Sequence, residues 1–541
     1  MRYWQSFGIA AIVACSLWTA SMAEANDAYD LGNVQVVGAD ARSTRFGGDP
    51  EEISLKMGQK QEMRPEMPAD PMALPGLPDI KKANSAVDNA SMLKTMNVGY
   101  SRGTKNYEEM HFSGVGESSG YKGTLSLSKE HRDGFRSYVN DEKNNTRIDL
   151  QDVGAGAGSY ELDGFGTVGT NRFGQRGTNA IPTPDAGIKD SYHTVELAGR
   201  STLADGAHFT LRGGVDSTDR NVENSSVLFT EDSTLVSSFL EGDYRTTLRP
   251  QLTGHAQLSF RHDSDSIKNG KDSGLTKRFL AMTAEHEISG KTFFEFGFRN
   301  ISLMDKSLTS PQLKLEYRPG PWQAIVSHEQ DLGNDHLKDI YLRSRYVESA
   351  NLSASLRRRT SGRINYRSNE DFTIGAELFR ETEDNAAEFT DCYVAGKGMW
   401  ATRIGFAERA RRSGLTLNGS ARLDQNFTVT LKSTIQDAKD DATGRKLAYE
   451  PGKELDVSLA YAQGPLRVEV TRKEMADRKA YVPTEVDASD YSRADLTLKY
   501  NFKKSVTAYL DIQDLYDEAK SELWDVPEQG RYSKAGLEMN F

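Results

Sequence analysis

The chain has 541 residues, 37% hydrophobic and 27% charged, with a mean hydropathy of -0.61. Past the first 25 positions no stretch approaches the roughly 20 apolar residues that a membrane helix requires, which excludes a bundle of such helices. Cys15 and Cys392 are its only cysteines, and its net charge of -11 is spread over interspersed acids and bases. A disulfide framework, a cysteine-based metal site and a basic field for nucleic acid are excluded with them.

Residues 1–23 have the order of an export signal: Arg2 supplies positive charge, Phe7 to Ala20 is a short apolar run, and Ser21-Met22-Ala23 offers small residues for cleavage. A lipoprotein box at Ile12-Val13-Ala14-Cys15 is the rival reading, but Leu17, Trp18 and Ala20 continue the apolar run beyond it. Residues 24–90 contain one short β-type run, Asp30 to Gly38, followed by a segment crowded with Pro, Glu, Lys and Met. Pro65, Pro68, Pro71, Pro75 and Pro78 forbid continuous helix or central strand, so this region reads as an extended, flexible periplasmic arm. Met57, Met63, Met67 and Met72 are irregularly spaced and have no nearby His or Cys, which argues against a soft metal site.

From residue 91 to 541 the pattern changes to short segments alternating with period two, as half-buried strands do. Phe427, Val429 and Leu431 alternate with Thr428, Thr430 and Lys432; Leu455, Val457, Leu459 and Tyr461 alternate with Asp456, Ser458 and Ala460. The segments 466–471, 495–502 and 506–513 repeat the pattern, and noisier versions occupy 120–131, 190–203, 207–217, 291–301 and 371–380. Very short connections (Asp424-Gln425, Gln463-Gly464, Lys503-Lys504) alternate with long polar ones at 132–143, 169–189, 265–275, 439–453, 478–491 and 518–530. Tight turns at one end and long loops at the other are the pattern of an outer-membrane barrel, whose strands show one face to lipid and the other to a wet lumen. Between 20 and 25 segments can be counted, and between about 383 and 413 the alternation fails and strands cannot be placed.

The C-terminal run Lys534-Ala535-Gly536-Leu537-Glu538-Met539-Asn540-Phe541 reads as a closing strand, apolar at 535, 537, 539 and 541. Its polar-x-Gly-x-x-apolar-x-aromatic arrangement resembles the signal by which outer-membrane barrels are recognised for assembly. That resemblance points to Lys534, Gly536, Leu537, Met539 and Phe541, with the barrel-assembly machinery as partner.

The stretches 412–461 and 492–518, with Gln513-Asp514-Leu515-Tyr516-Asp517 standing where a closing Asn-Leu-Phe-Asp-like element is usual, resemble the barrel of TonB-dependent outer-membrane receptors; 120–138 resembles an early strand and loop of the same barrels. Asn33, Val34, Gln35, Val36 and Val37 resemble a TonB box, a short run able to add as a strand to a partner's sheet. Only some fifty residues separate it from Met92, and they lack plug-like strands, so the usual plug is expected to be missing or supplied by a partner. The resemblance implies an all-β transmembrane antiparallel barrel of about 22 strands in the outer membrane of a Gram-negative bacterium, with both termini in the periplasm. It also implies transport of a solute or chelate, with TonB or a plug-like protein and outer-membrane lipid as partners. A plugless passive porin, or a scaffold barrel housing a partner protein, is the alternative.

No other chemistry stands out. The nine histidines show no metal-ligand spacing, and no Gly-x-Ser-x-Gly elbow or acid pair stands out, so neither an enzyme nor a cofactor is expected. The loop carrying Asp437, Asp440, Asp441 and Gly444 lacks the full calcium ligand series and reads as solvated. Arg357, Arg358, Arg359, Arg409, Arg411 and Arg412 form two clusters read either as lumen lining that favours anions or as solvated rim.

Overall fold

The computed structural model describes residues 93–541, apart from 119–120, 134–140, 153–159, 175–180, 184, 203–206, 268–272, 304–305, 334–345, 348–354, 370, 483, 504 and 519–529. The export segment, the arm and the TonB-box-like run Asn33–Val37 lie outside the described residues.

The strands are β1 (Leu93–Gly103), β2 (Glu108–Ser118), β3 (Tyr121–Arg132), β4 (Asp141–Asp152), β5 (Tyr160–Gly174), β6 (Ala186–Thr202), β7 (His208–Asn224) and β8 (Phe229–Arg249). They continue as β9 (Leu252–Ile267), β10 (Ser273–Ser289), β11 (Thr292–Leu303), β12 (Lys306–Tyr317), β13 (Trp322–Gly333), β14 (Tyr346–Val347), β15 (Ser355–Asn369), β16 (Phe372–Val394) and β17 (Met399–Arg422). Last come β18 (Phe427–Asp440), β19 (Lys453–Gln463), β20 (Leu466–Ala476), β21 (Arg478–Val482), β22 (Thr484–Ala488), β23 (Tyr491–Lys503), β24 (Val506–Gln513) and β25 (Tyr532–Asn540). Leaving aside β14 and the small β21–β22 hairpin, each strand pairs antiparallel with the next, and β25 pairs with β1, so the sheet closes into a 22-strand barrel. Closure removes the exposed edges that an open sheet of this size would present.

Period two fixes which face is which. On β18, Leu431 and Ile435 point outward and are 41% and 56% exposed, while Thr430, Lys432 and Thr434 line the lumen. The rule repeats around the wall: Leu258, Leu280, Phe296, Leu313, Val326, Ile364, Leu378 and Leu537 all face out. In water such a band would be untenable, and against lipid tails it is what holds the barrel in place. Near the tight turns the band ends in aromatic pairs, Trp322 with Tyr366 at 4.6 Å and Phe427 with Tyr461 at 4.5 Å between ring centroids, the amphipathic girdle of a membrane interface.

Two regions differ from the sequence expectation. Residues 383–413 belong to the two longest strands, β16 and β17, which are 23 and 24 residues long. They rise past the apolar band, and a strand that leaves lipid has no reason to keep an oily face; Asn385 is left-handed there (φ 60°), and the register of β16 on β17 is unchanged from Asp384–Arg409 to Ala386–Ala407. The segment 478–491, expected to be a polar loop, contains the β21–β22 hairpin, docked on the 448–449 segment through Tyr449 N to Lys479 O at 2.7 Å.

Candidate functional site

The closure seam forms first from the sequence upward. Lys534, Gly536, Glu538 and Asn540 on β25 turn inward, and Leu537, Met539 and Phe541 turn to lipid. Met96 and Phe541 exchange backbone hydrogen bonds of 3.0 and 2.7 Å, sealing the tight-turn end of the seam. Inside, Lys534 Nζ lies 3.0 Å from Glu109, which also accepts from Tyr107 OH (2.7 Å) and Ser101 Oγ (3.1 Å). Tyr509 lies across Gly536: a Cβ there would sit 2.6 Å from both the Tyr509 ring and the Tyr100 carbonyl oxygen. Gly536→Val is therefore expected to prevent closure, read as loss of the heat-modifiable folded band on semi-denaturing gels, while Ala535→Val on the lipid face leaves the band intact.

The lumen wall of β15–β17 carries a ladder of opposite charges. Glu377 accepts from Arg359 Nη2 at 2.8 Å and from Arg363 Nη2 at 2.7 Å. Arg412, buried, donates to Glu383 (2.7 Å), Glu381 (3.2 Å) and Glu450 (2.7 Å). Farther round, Arg220 makes a bidentate buried pair with Asp190, both bonds 2.7 Å. A charge-lined interior of this kind is wet and ill suited to an oily cargo.

Above the ladder the β16–β17 hairpin crosses the mouth. From Asp384 to Val394 its rising leg has a reach of roughly 33 Å at about 3.3 Å per residue. Its tip meets β6–β8, seven to ten strands away around the wall. There Asn224 Nδ2 donates to the carbonyls of Lys397 (3.1 Å) and Gly398 (2.8 Å). Lys397 Nζ lies 3.2 Å from Glu231 and over the Phe229 ring. Trp400 Nε1 donates to Ile181 O at 3.2 Å. Met399 and Ala401 pack with Ala186, Ile188 and Val222, all almost fully buried. Gly398 has φ +61°, and a Cβ there would press within 2.7 Å of Asn224 Nδ2, so the tip requires glycine twice over. The hairpin's other end is held by loop 441–452: Ala386, Ala407, Ala410 and Ala438 let Leu447 lie close, and Tyr449 OH donates to Asp391.

Charge at this end is matched locally. Burial pushes the Asp384 carboxyl up, but hydrogen bonds from Arg409 and Arg358 outweigh it and hold the group below its ordinary range. Glu388 is raised, by burial first and then by the neighbouring Asp440. Tyr481 is pushed up to about 12, again by burial and then by Glu485.

The predicted residues are distributed as period two requires. Arg357 and Arg359 face the lumen and Arg358 faces out; Arg412 is inside, and Arg409 and Arg411 are outside. Each cluster thus serves both surfaces, where the sequence reading had treated it as one. In the acidic loop, Asp440 is occupied by Ala442 N and Thr443 Oγ, Asp437 by Lys439, and Asp441 by Arg411, and among the described residues no His, Cys, Asp or Glu group has the arrangement to hold a metal. The bridging hairpin was missed from sequence; its one legible cue was Ala-Gly-Lys-Gly at 395–398, a turn flanked by β-formers.

No protein-family model matches the chain, and no curated protein sequence matches it. Among solved structures, the FrpB iron transporter from Neisseria meningitidis (F3-3 variant) superposes with a TM-score of 0.67 at 13% identity, covering 83% of this chain and 81% of that one. The ferripyoverdine receptor of the outer membrane of Pseudomonas aeruginosa gives 0.64 at 13% identity, over 83% and 72%. The copper transporter OprC gives 0.64 at 12%, over 83% and 80%. These neighbours are TonB-dependent receptors, and at such identities the likeness is one of fold: this chain shares their β-barrel architecture, here closed with 22 strands.

Proposed function

We propose that the chain carries a solute or metal chelate across the outer membrane through its lumen, and that the β16–β17 hairpin controls entry at the mouth. The observation that supports this most is the combination of a closed, charge-lined barrel with a strut pinned across its outer end, a design for selective passage. Likeness in fold to an iron transporter, a ferripyoverdine receptor and a copper transporter supports a polar chelate as the cargo. In this reading residues 1–23 direct export, both termini face the periplasm, and Asn33–Val37 adds as a strand to TonB. Lys534, Gly536, Leu537, Met539 and Phe541 present the strand on which the assembly machinery closes the barrel.

The test is uptake of radiolabelled iron and copper chelates by cells carrying the intact chain or a chain lacking residues 33–37. Uptake that the deletion abolishes supports energised transport. Uptake indifferent to the deletion and to the membrane potential identifies a passive porin, and no uptake with a soluble protein co-purifying in the lumen identifies a scaffold.

A further inference from the structure

On the outer surface of β13–β18 the continuous apolar band ends at cross-strand neighbours Val326, Gly362, Leu378, Leu415 and Ile435, with Leu332 and Leu356 at outward register positions three rows farther on. Toward the long connections, the next rows on the same face carry Arg380, then Arg358, Arg411 and Lys439, then Arg409. Five cations thus stand over four adjacent strands, against Asp384, Asp437 and Asp441, in a chain whose net charge is -11. Arg358, Arg409, Arg411 and Lys439 are 37 to 54% exposed despite their ion pairs, and exposed Arg380 makes no ion pair among the described residues. Exposed pairs of this kind are weak and leave guanidinium donors unused. At the corresponding height on β6–β8 the outward face is acidic, with Asp219, Glu223 and Asp232 against Lys189.

We infer that this patch binds the phosphorylated headgroup of a glycolipid in the outer leaflet. It begins one row above the lipid-facing band, so it lies at headgroup height and is continuous with a surface already in contact with lipid. It faces away from the lumen, out of reach of a solute in passage. Arginine forks match phosphate oxygens in pairs. With strands about 4.8 Å apart the four strands spread the cations over roughly 15 Å, wider than one phosphodiester and suited to a sugar headgroup bearing more than one phosphate.

The test is native mass spectrometry of the intact barrel, released from a neutral detergent, with three probes: bis-phosphorylated lipid A, the same lipid A after phosphatase treatment, and phosphatidylglycerol. Retention of the bis-phosphorylated form is expected to exceed that of either other lipid by at least tenfold. Arg380→Gln with Arg411→Gln is expected to remove that preference, while Lys189→Gln on the acidic sector leaves it. Equal retention with and without phosphate, equal retention of phosphatidylglycerol, or an undiminished preference in the double variant would each overturn the inference. The phosphatase comparison leaves the protein untouched, so it stands even if the double variant folds poorly.

Discussion

Removing residues 387–406 and joining the stubs with Gly-Ser-Gly is expected to turn a quiet barrel into a conducting one. Those residues form the part of β16–β17 that spans the mouth, and the barrel wall below them is paired independently through β15–β16 and β17–β18. In a planar bilayer the shortened protein should pass a steady current several times that of the intact chain. A milder version separates the pin from the strut. Asn224→Ala with Lys397→Ala removes both carbonyl-directed hydrogen bonds and the Glu231 pair while leaving the hairpin in place. Each bond contributes about 0.5–1.5 kcal/mol, and a charged one somewhat more, so together they hold the tip by a few kcal/mol at most. The double variant should therefore flicker between open and closed levels, where the deletion stays open. Equal, unchanged conductance in both variants would mean that the hairpin does not control the mouth.

Arg412→Ala has the second large expected effect, this time on stability. The guanidinium is the shared partner of Glu381, Glu383 and Glu450, and it joins the wall to loop 441–452. Its removal strands three carboxylates at a site where the pair is hidden from water, a change that costs about 3–5 kcal/mol in buried ion pairs. Urea unfolding in phospholipid vesicles should register that loss. Combining Arg412→Met with Glu450→Met should recover part of it, because the loop carboxylate then no longer lacks a partner. Arg409→Ala, on the outer face and half exposed, should change the midpoint by no more than an exposed pair warrants, about 0–1 kcal/mol.

The barrel itself was legible in the sequence because lipid enforces a simple rule. Wherever a strand crosses the membrane, alternate side chains must be apolar, as at 427–431, 455–461 and 496–502, and these strands lie where the alternation places them. Closure by the C-terminal strand was equally legible, since Leu537, Met539 and Phe541 had to face lipid and only a neighbouring strand could satisfy their backbone. Above the membrane that rule lapses. Residues 384–410 obey packing between protein surfaces, where Ala386, Ala407 and Ala410 are chosen for smallness and Met399 for burial, and none of this has a fixed period. Long-range partners such as Asn224 with Gly398, 174 residues apart, leave no local trace at all. The arginine clusters show the converse. Once the strands are placed, counting parity from the lipid-facing residue of the same strand, Ile364 on β15 or Leu417 on β17, assigns each arginine to a face.

The central claim, an oily outside and a wet inside on one continuous wall, is tested most directly by spin labels placed singly along β18 at positions 428 to 435 in a Cys392→Ser background, in lipid vesicles. Accessibility to oxygen should peak at 429, 431, 433 and 435, and accessibility to a water-soluble nickel chelate at 428, 430, 432 and 434, out of phase with period two. A profile in which both reagents rise and fall together, or in which the period is absent, would contradict a lipid-embedded barrel with an aqueous lumen.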